Sequence, residues 1–411
     1  MSDKIEDLIF AAVFSEDPEE KTKARTEIKR QANEQGIKST SIYLYYTAIG
    51  AGKVPADSTV PAVNIRALTY DTARIIFRLI IKHQIGPVIF EIAKSEIEYT
   101  DQRPDEYTTA VLAAAIKEGY IGPVFLQGDH FQFSQKKYAE NPEEETNKIK
   151  NLIKEALAGG FKNIDIDAST LVDLSKPSQD QQQAENYKVT SLLTSYIRSL
   201  EDGTTISIGG EIGHIGGKNS TPEELQAFMD GYLKAIGNTL GISKISVQTG
   251  TSHGGIPLPG GGVADVKLDF GVIEITGNVA REKYHLGGVV QHGASTLPSE
   301  LFGEFPKHKT LEIHLATGFQ NIVFDNMPKA LREEIYAWLS ENHQPEWDDT
   351  LSREQNIYKT RKRAIGPFKK KLWELSESEK KPIVDNLEKQ LAFLFEKLNI
   401  GNTRQILRQY V

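Results

Sequence analysis

Short apolar, β-branched runs alternate along this chain with longer stretches whose apolar residues recur every three or four positions. The runs at residues 62–65, 88–92, 124–127, 163–166, 205–208, 244–247, 289–291 and 322–324 predict eight strands. The stretches at 70–83, 105–118, 143–158, 184–200, 222–240 and 270–283 carry a helical period. Runs apolar on both faces suit parallel strands covered by helices. Eight such βα units predict a closed (β/α)8 barrel, an α/β fold. A doubly wound sheet is the alternative, and it is disfavoured because no G-x-G-x-x-G follows an early strand.

The pattern changes at both ends. Residues 1–58 read as an N-terminal helical extension that closes in a loop with Gly50, Gly52 and Pro55. The barrel then spans 59–328. From 329 to 411 only helical periodicity is left, at 330–341, 354–371 and 377–397. This segment is expected to pack on the barrel or on a partner subunit.

Composition narrows the chemistry. The 411 residues include 48 basic and 56 acidic side chains, a net charge of −8, which argues against a nucleic-acid partner. No cysteine is present, so any metal must be held by His, Asp or Glu. The N-terminus lacks the pattern of a secretory signal, and no apolar run approaches ~18 residues. The expectation is a soluble cytoplasmic protein with no membrane partner.

Barrel enzymes place their chemistry after the C-terminal ends of the strands. There the chain reads Gly128-Asp129-His130, Asp165-Ile166-Asp167, Gly209-Gly210-Glu211, Ser252-His253-Gly254, and His292-Gly293-Ala294-Ser295. A lone histidine at a strand end is usually structural. Three of nine at one rim, each beside Gly or Asp, point to a divalent ion held by His130, His253 and His292. Three neutral imidazoles leave a coordination position open for catalysis. His214 reads as a loop residue, and His285, His308, His314 and His343 show no partner pattern.

These segments carry a resemblance. VPAVNIRALTYDTARIIF, LQGDHFQ, GGEIGHIGG, SVQTGTSHGG, VVQHGAS, GFQNIVFD and YKTRKRAIGPF resemble, in order, the class II, zinc-dependent fructose- and tagatose-bisphosphate aldolases. FEIAKSEIEYT, GDHFQ and IDIDAST resemble a divergent branch of that family, in which some proteins are ketose epimerases or accessory subunits. The resemblance implies Zn2+ (or Co2+ or Fe2+) on His130, His253 and His292, with Asp129 as acid/base. It implies a second mono- or divalent cation at Asp167 and Glu211. Gly254, Gly293, Ser295, Asp325 and Asn326 match substrate- and phosphate-binding positions. A phosphorylated ketose substrate and a homodimer or homotetramer are expected with it.

The reaction so implied is reversible aldol cleavage of a ketose 1,6-bisphosphate, foremost fructose 1,6-bisphosphate, into glycerone phosphate and glyceraldehyde 3-phosphate. Retro-aldol cleavage leaves an enediolate, which a divalent ion stabilises while a carboxylate moves the hydroxyl proton. Some positions depart from the family. Val323 stands where an Asn-Ile-Asp pattern is usual, Pro257 stands near a usual lysine, and only Glu223 and Glu224 offer a loop carboxylate. The alternatives are a ketose 4-epimerase working by retro-aldol chemistry, a tagatose-bisphosphate aldolase, or its accessory subunit.

Overall fold

The computed structural model describes residues 2–213, 218–250 and 268–411. Its strands are β1 (Ile37–Ser39), β2 (Val60–Asn64), β3 (Ile89–Ala93), β4 (Gly122–Gln132), β5 (Asn163–Asp167), β6 (Ser207–Glu211), β7 (Lys244–Val247), β8 (Val289–Gln291) and β9 (Glu312–Leu315). β2 to β9 form a ring in chain order with every pairing parallel. It closes because β2 pairs with β3 on one side and, from Val60↔Glu312 to Val63↔Leu315, with β9 on the other. Helices Thr69–His83, Pro104–Lys117, Pro142–Gly159, Gln179–Ser199, Pro222–Ile236, Phe270–Tyr284 and Thr317–Asn326 clothe the ring. The fold is the expected (β/α)8 barrel.

One predicted strand is wrong. Residues 322–324 belong to the helix Thr317–Asn326, and the eighth barrel strand is β9. Its sequence, Glu312-Ile313-His314-Leu315, alternates charged and apolar residues, so it does not read as a buried parallel strand.

The barrel interior explains that sequence. Lys244 Nζ, almost wholly buried, donates to Gln127 Oε1 at 2.8 Å, Asp165 Oδ2 at 3.0 Å and Glu312 Oε1 at 2.5 Å. Gln127 Nε2 donates to Glu91 Oε2 at 2.8 Å, and the Tyr46 hydroxyl donates to Glu312 Oε2. A charged plug therefore fills the ring where apolar layers are usual. Gly209 leaves room for it: a Cβ there would lie 2.3 Å from Asp165 Oδ1 and 2.9 Å from Lys244 Cε.

The N-terminal segment holds helices Ser2–Phe14, Pro18–Glu34 and Tyr43–Gly50, and β1, which pairs with the start of β4. Arg25 ties it to the barrel through Asp105 at 3.0 Å and Glu106 at 3.1 Å. In the C-terminal segment, 354–371 is broken rather than one helix: Arg353–Thr360, a 3-10 turn Arg361–Ala364, then Lys369–Trp373. The break falls at Gly366-Pro367. Gly366 N donates to Tyr99 O at 3.1 Å, and a Cβ there would stand 2.8 Å from that oxygen. Lys380 pairs with Asp71 at 3.3 Å, so this segment packs on its own barrel. Among the described residues, no helix is long and apolar enough to cross a membrane.

Candidate metal and active site

The end of β4 turns two consecutive side chains into one cavity. Between Gly128↔Ile164 and Phe131↔Ile166 the strand holds one residue more than β5 beside it, and His130 takes a positive φ of 41°. Successive strand residues ordinarily point to opposite faces, and a bulge relieves that rule. Gly128 is required beside it, because a Cβ there would lie 2.5 Å from the Phe131 ring. Asp129 and His130 consequently both line a cavity of about 410 Å³ at the barrel mouth, with Asn64, Arg66, His292 and His314.

His130 Nδ1 faces Asp167 Oδ2 at 2.8 Å and Glu211 Oε2 at 3.3 Å. Its Nε2 faces His292 Nδ1 at 2.5 Å, and His292 Nε2 is bonded to Ser246 Oγ at 2.8 Å. Each imidazole is thus anchored through one nitrogen and turns the other to a common point, as metal-binding histidines do. Burial disfavours the charged form of His130, but Asp129, Glu211 and Asp167 outweigh it and raise its pKa well above the ordinary value. The Glu211 carboxyl is pushed up to about 7, by burial and then by Asp167. Burial would also raise Asp129, yet His130, His314 and His292 hold it well below the usual range. A pocket this negative around two facing imidazoles fits a divalent cation. The ligand atoms of His130, Glu211 and His292, and those of Asp129, His292 and His314, lie within 4.8 Å of one another.

The predicted residues divide into three groups. Asp129, His130, Asp167, Glu211 and His292 come together, and Gly293 and Ser295 line the same cavity beside the start of the helix Thr317–Asn326. His253 and Gly254, with Pro257 and His214, lie outside the described residues. Asp325 and Asn326 sit at the far end of that helix. Asp325 is exposed and 3.8 Å from Arg361, and Asn326 donates to Ile322 O. They follow the misplaced strand and do not line the cavity. Val323 is buried in the same helix. Glu224 is engaged in a capping box with Thr221 and pairs with Lys218 at 2.7 Å, whereas Glu223 is exposed.

Several cavity residues were not legible as such. His314 Nδ1 lies 3.1 Å from Asp129 Oδ1, and its ring centroid is 4.2 Å from that of His292. Asn64 Nδ2 donates to Asp129 Oδ2 at 3.0 Å and to Glu96 Oε2 at 2.8 Å. Arg66 pairs with Glu96 at 2.6 Å and donates to Gln320 Oε1 at 3.0 Å. In the basic run at 358–371, which as sequence suits a solvated helix face but also offers Arg361, Lys362 or Arg363 to a distal phosphate, Lys362 reaches the rim of the cavity. Its ammonium pKa is lowered by desolvation, then by Arg66 and Arg363. For His314 the one available signal was that β9, once placed, puts it at a strand end.

Residues 56–378 match the family described as fructose-bisphosphate aldolase class-II. The chain belongs to that family. No curated protein matches it in sequence. The fructuronate-tagaturonate epimerase UxaE from Cohnella laeviribosi shares the fold at 12% identity and a TM-score of 0.61, over 92% of this chain and 85% of that one. A probable tagatose 6 phosphate kinase from Sinorhizobium meliloti 1021 follows at 14% identity and a TM-score of 0.57, over 86% and 99% of the two chains. The fructose-bisphosphate aldolase Fba from Campylobacter jejuni reaches 18% identity and a TM-score of 0.51, over 89% and 97%. At these identities the likeness concerns the fold; the family rests on the sequence match.

Proposed function

We propose that this protein is a divalent-metal-dependent epimerase that inverts C4 of a ketose, counted from the end nearer the ketone, when the sugar bears an acidic group at its far end. The observation that carries this reading is β9. The bisphosphate aldolases contact substrate with the asparagine of an Asn-Ile-Asp pattern on the eighth strand. Here β9 reads Glu312-Ile313-His314, and Glu312 is held by Lys244 and Tyr46 inside the barrel. The shared fold with a fructuronate-tagaturonate epimerase supports the same direction.

His130 and His292 would hold the ion, with His253 as third ligand by the family resemblance, and Asp167 and Glu211 would steady His130 or take a second cation. Zn2+ is the ion such a site takes, with Co2+ or Fe2+ as substitutes. When bound, the ion supplies a Lewis acid for the charge that develops on the ketose C2 oxygen. Asp129 removes the O4 proton as the C3–C4 bond breaks. Lys362 and Arg66 grip the terminal acid group, phosphate or carboxylate, at the rim. Gly293, Ser295 and the amides at the start of the helix Thr317–Asn326 suit an oxyanion at the other end. A terminal grip matters for epimerisation because it keeps the aldehyde fragment in place while its carbonyl turns over. The cavity, about 410 Å³, accommodates a six-carbon acid sugar.

The test is product analysis by NMR on fructuronate, fructose 6-phosphate and fructose 1,6-bisphosphate, with Zn2+ and after chelation. Interconversion with the C4 epimer, lost on chelation, is expected for the first or second sugar. Release of glycerone phosphate from the bisphosphate without epimerisation would instead establish the aldolase. No turnover of any of the three would favour an accessory subunit.

A further inference from the structure

His314 is buried in this cavity beside Asp129 and His292. We infer that it is a second catalytic residue, the group that returns the proton to O4 after the aldehyde has turned over. The inference rests on the epimerase reading above. His314 lines the cavity, and its two nitrogens have different partners. Nε2 points inward to Glu312 Oε1 at 2.6 Å, while Nδ1 faces Asp129 Oδ1 at 3.1 Å and, deeper in the barrel, Glu91 Oε1 at 3.3 Å. Glu312 is itself immobilised by Lys244 at 2.5 Å, Gln127 at 3.1 Å and Tyr46. The charged plug in the barrel therefore has a use: it pins one face of His314 and aims the other at the acid/base aspartate.

The geometry suits inversion. When an aldehyde presents its opposite face, its oxygen moves about 2 Å, roughly twice the C=O bond length projected across the turn. A single carboxylate oxygen serves one of the two positions. Asp129 Oδ1 and His314 Nδ1 stand 3.1 Å apart, a comparable distance.

The step balances. Asp129 accepts the O4 proton, and the C3–C4 electron pair becomes the enediolate. The fragment turns, the pair re-forms C3–C4 on the other face, and the new O4 alkoxide takes the proton from His314 Nδ1. The proton on Asp129 then crosses the hydrogen bond to Nδ1. No proton is gained or lost, and the reverse reaction uses the same two groups in the opposite order.

The test compares the full-length, metal-loaded protein with His314→Gln, reading four quantities: metal content, KM, epimerisation kcat, and release of the aldehyde fragment caught by a hydrazine trap. Epimerisation is expected to fall about 100-fold or more, with KM within threefold, metal content unchanged, and trapped aldehyde largely retained. Epimerisation within threefold of the parent overturns the inference. So does metal loss in step with activity, which would make His314 a ligand beside Asp129 and His292. Glu312→Gln leaves His314 itself intact, with an amide oxygen to accept from Nε2, and decides the matter where His314→Gln does not fold. A drop in kcat of about tenfold or more at constant KM is expected, and an unchanged kcat overturns the inference. If the parent epimerises no acidic ketose, it is the functional reading that has failed; an active parent with an active His314→Gln variant sinks the role of His314 alone.

Discussion

His130 Nδ1 meets Asp167 Oδ2 at 2.8 Å, and this contact turns the opposite ring nitrogen toward His292. The carboxylate fixes the ring orientation and makes the facing nitrogen a better donor. Asp167→Asn should therefore weaken divalent-ion affinity about 10- to 100-fold while leaving the fold intact. Competition against a chromophoric chelator measures it, and parental affinity in the variant would remove Asp167 from the site.

His292 should be indispensable to metal binding. Saturating Zn2+ raises the melting temperature of a protein that binds it only when folded, by about 4 kcal/mol of stability at a thousandfold excess over Kd. The parent should show this rise and lose it on chelation. His292→Ala should show neither. A metal-induced shift of equal size in the variant would place the ion elsewhere.

Lys362 should matter to substrate binding rather than to stability. It reaches the cavity rim from an exposed turn, and a charge-assisted hydrogen bond to an anion is worth about 1.5–3 kcal/mol. Lys362→Ala is expected to raise KM for an acidic ketose about 10- to 100-fold, with an unchanged melting temperature. A neutral ketose should show no such penalty, and equal penalties on both would refute the ionic grip.

Lys244→Met should destabilise the barrel. Removing the ammonium leaves Asp165 and Glu312 facing each other in the interior without their cation. Breaking a buried pair on one side costs about 3–5 kcal/mol. Urea denaturation would show it as a lower midpoint. A midpoint equal to the parent's would mean that both carboxyls are readily carried in neutral form.

The tie between the N-terminal segment and the barrel should depend on pH. Burial tends to raise the Asp105 carboxyl, but Lys29 and Arg25 outweigh it and hold its pKa below the ordinary value. A depressed carboxyl stabilises the fold above the unfolded-state pKa of about 3.9 and loses that contribution as pH falls below it. Asp105 is partly exposed, so Asp105→Asn should cost no more than about 1 kcal/mol at pH 7. The difference from the parent should shrink between pH 5 and pH 3, as urea titrations at several pH values would show. A constant difference would mean that packing, not charge, makes the contact.

Sequence periodicity located seven of the eight barrel strands, because their segments are apolar enough to be read as buried and are flanked by helical stretches. It missed β9 for a physical reason. Glu312 and His314 point into a ring already occupied by Lys244, Asp165 and Gln127, and apart from their contact with each other their charges are satisfied by residues more than 60 positions away. A local window has no access to those partners. Nearby, Ile322, Val323 and Phe324 form an apolar run that looks like a strand but covers the barrel as part of a helix.

The site divides in the same way. Linear order alone determined that Asp129, His130, Asp167, Glu211 and His292 belong to one rim, because in a barrel the strand ends converge wherever the strands are placed correctly. Whether neighbouring side chains share a cavity was decided by the bulge in β4, which brings Asp129 and His130 to the same face. Only the closed ring decided that His314 stands beside Asp129. Only the docking of the tail, through Gly366 against Tyr99 and Arg361 against Asn321, decided that Lys362 reaches the cavity from beyond the barrel. Residue type and spacing carry the local part of this protein; contacts between distant segments require the ring to close and the tail to dock before they exist.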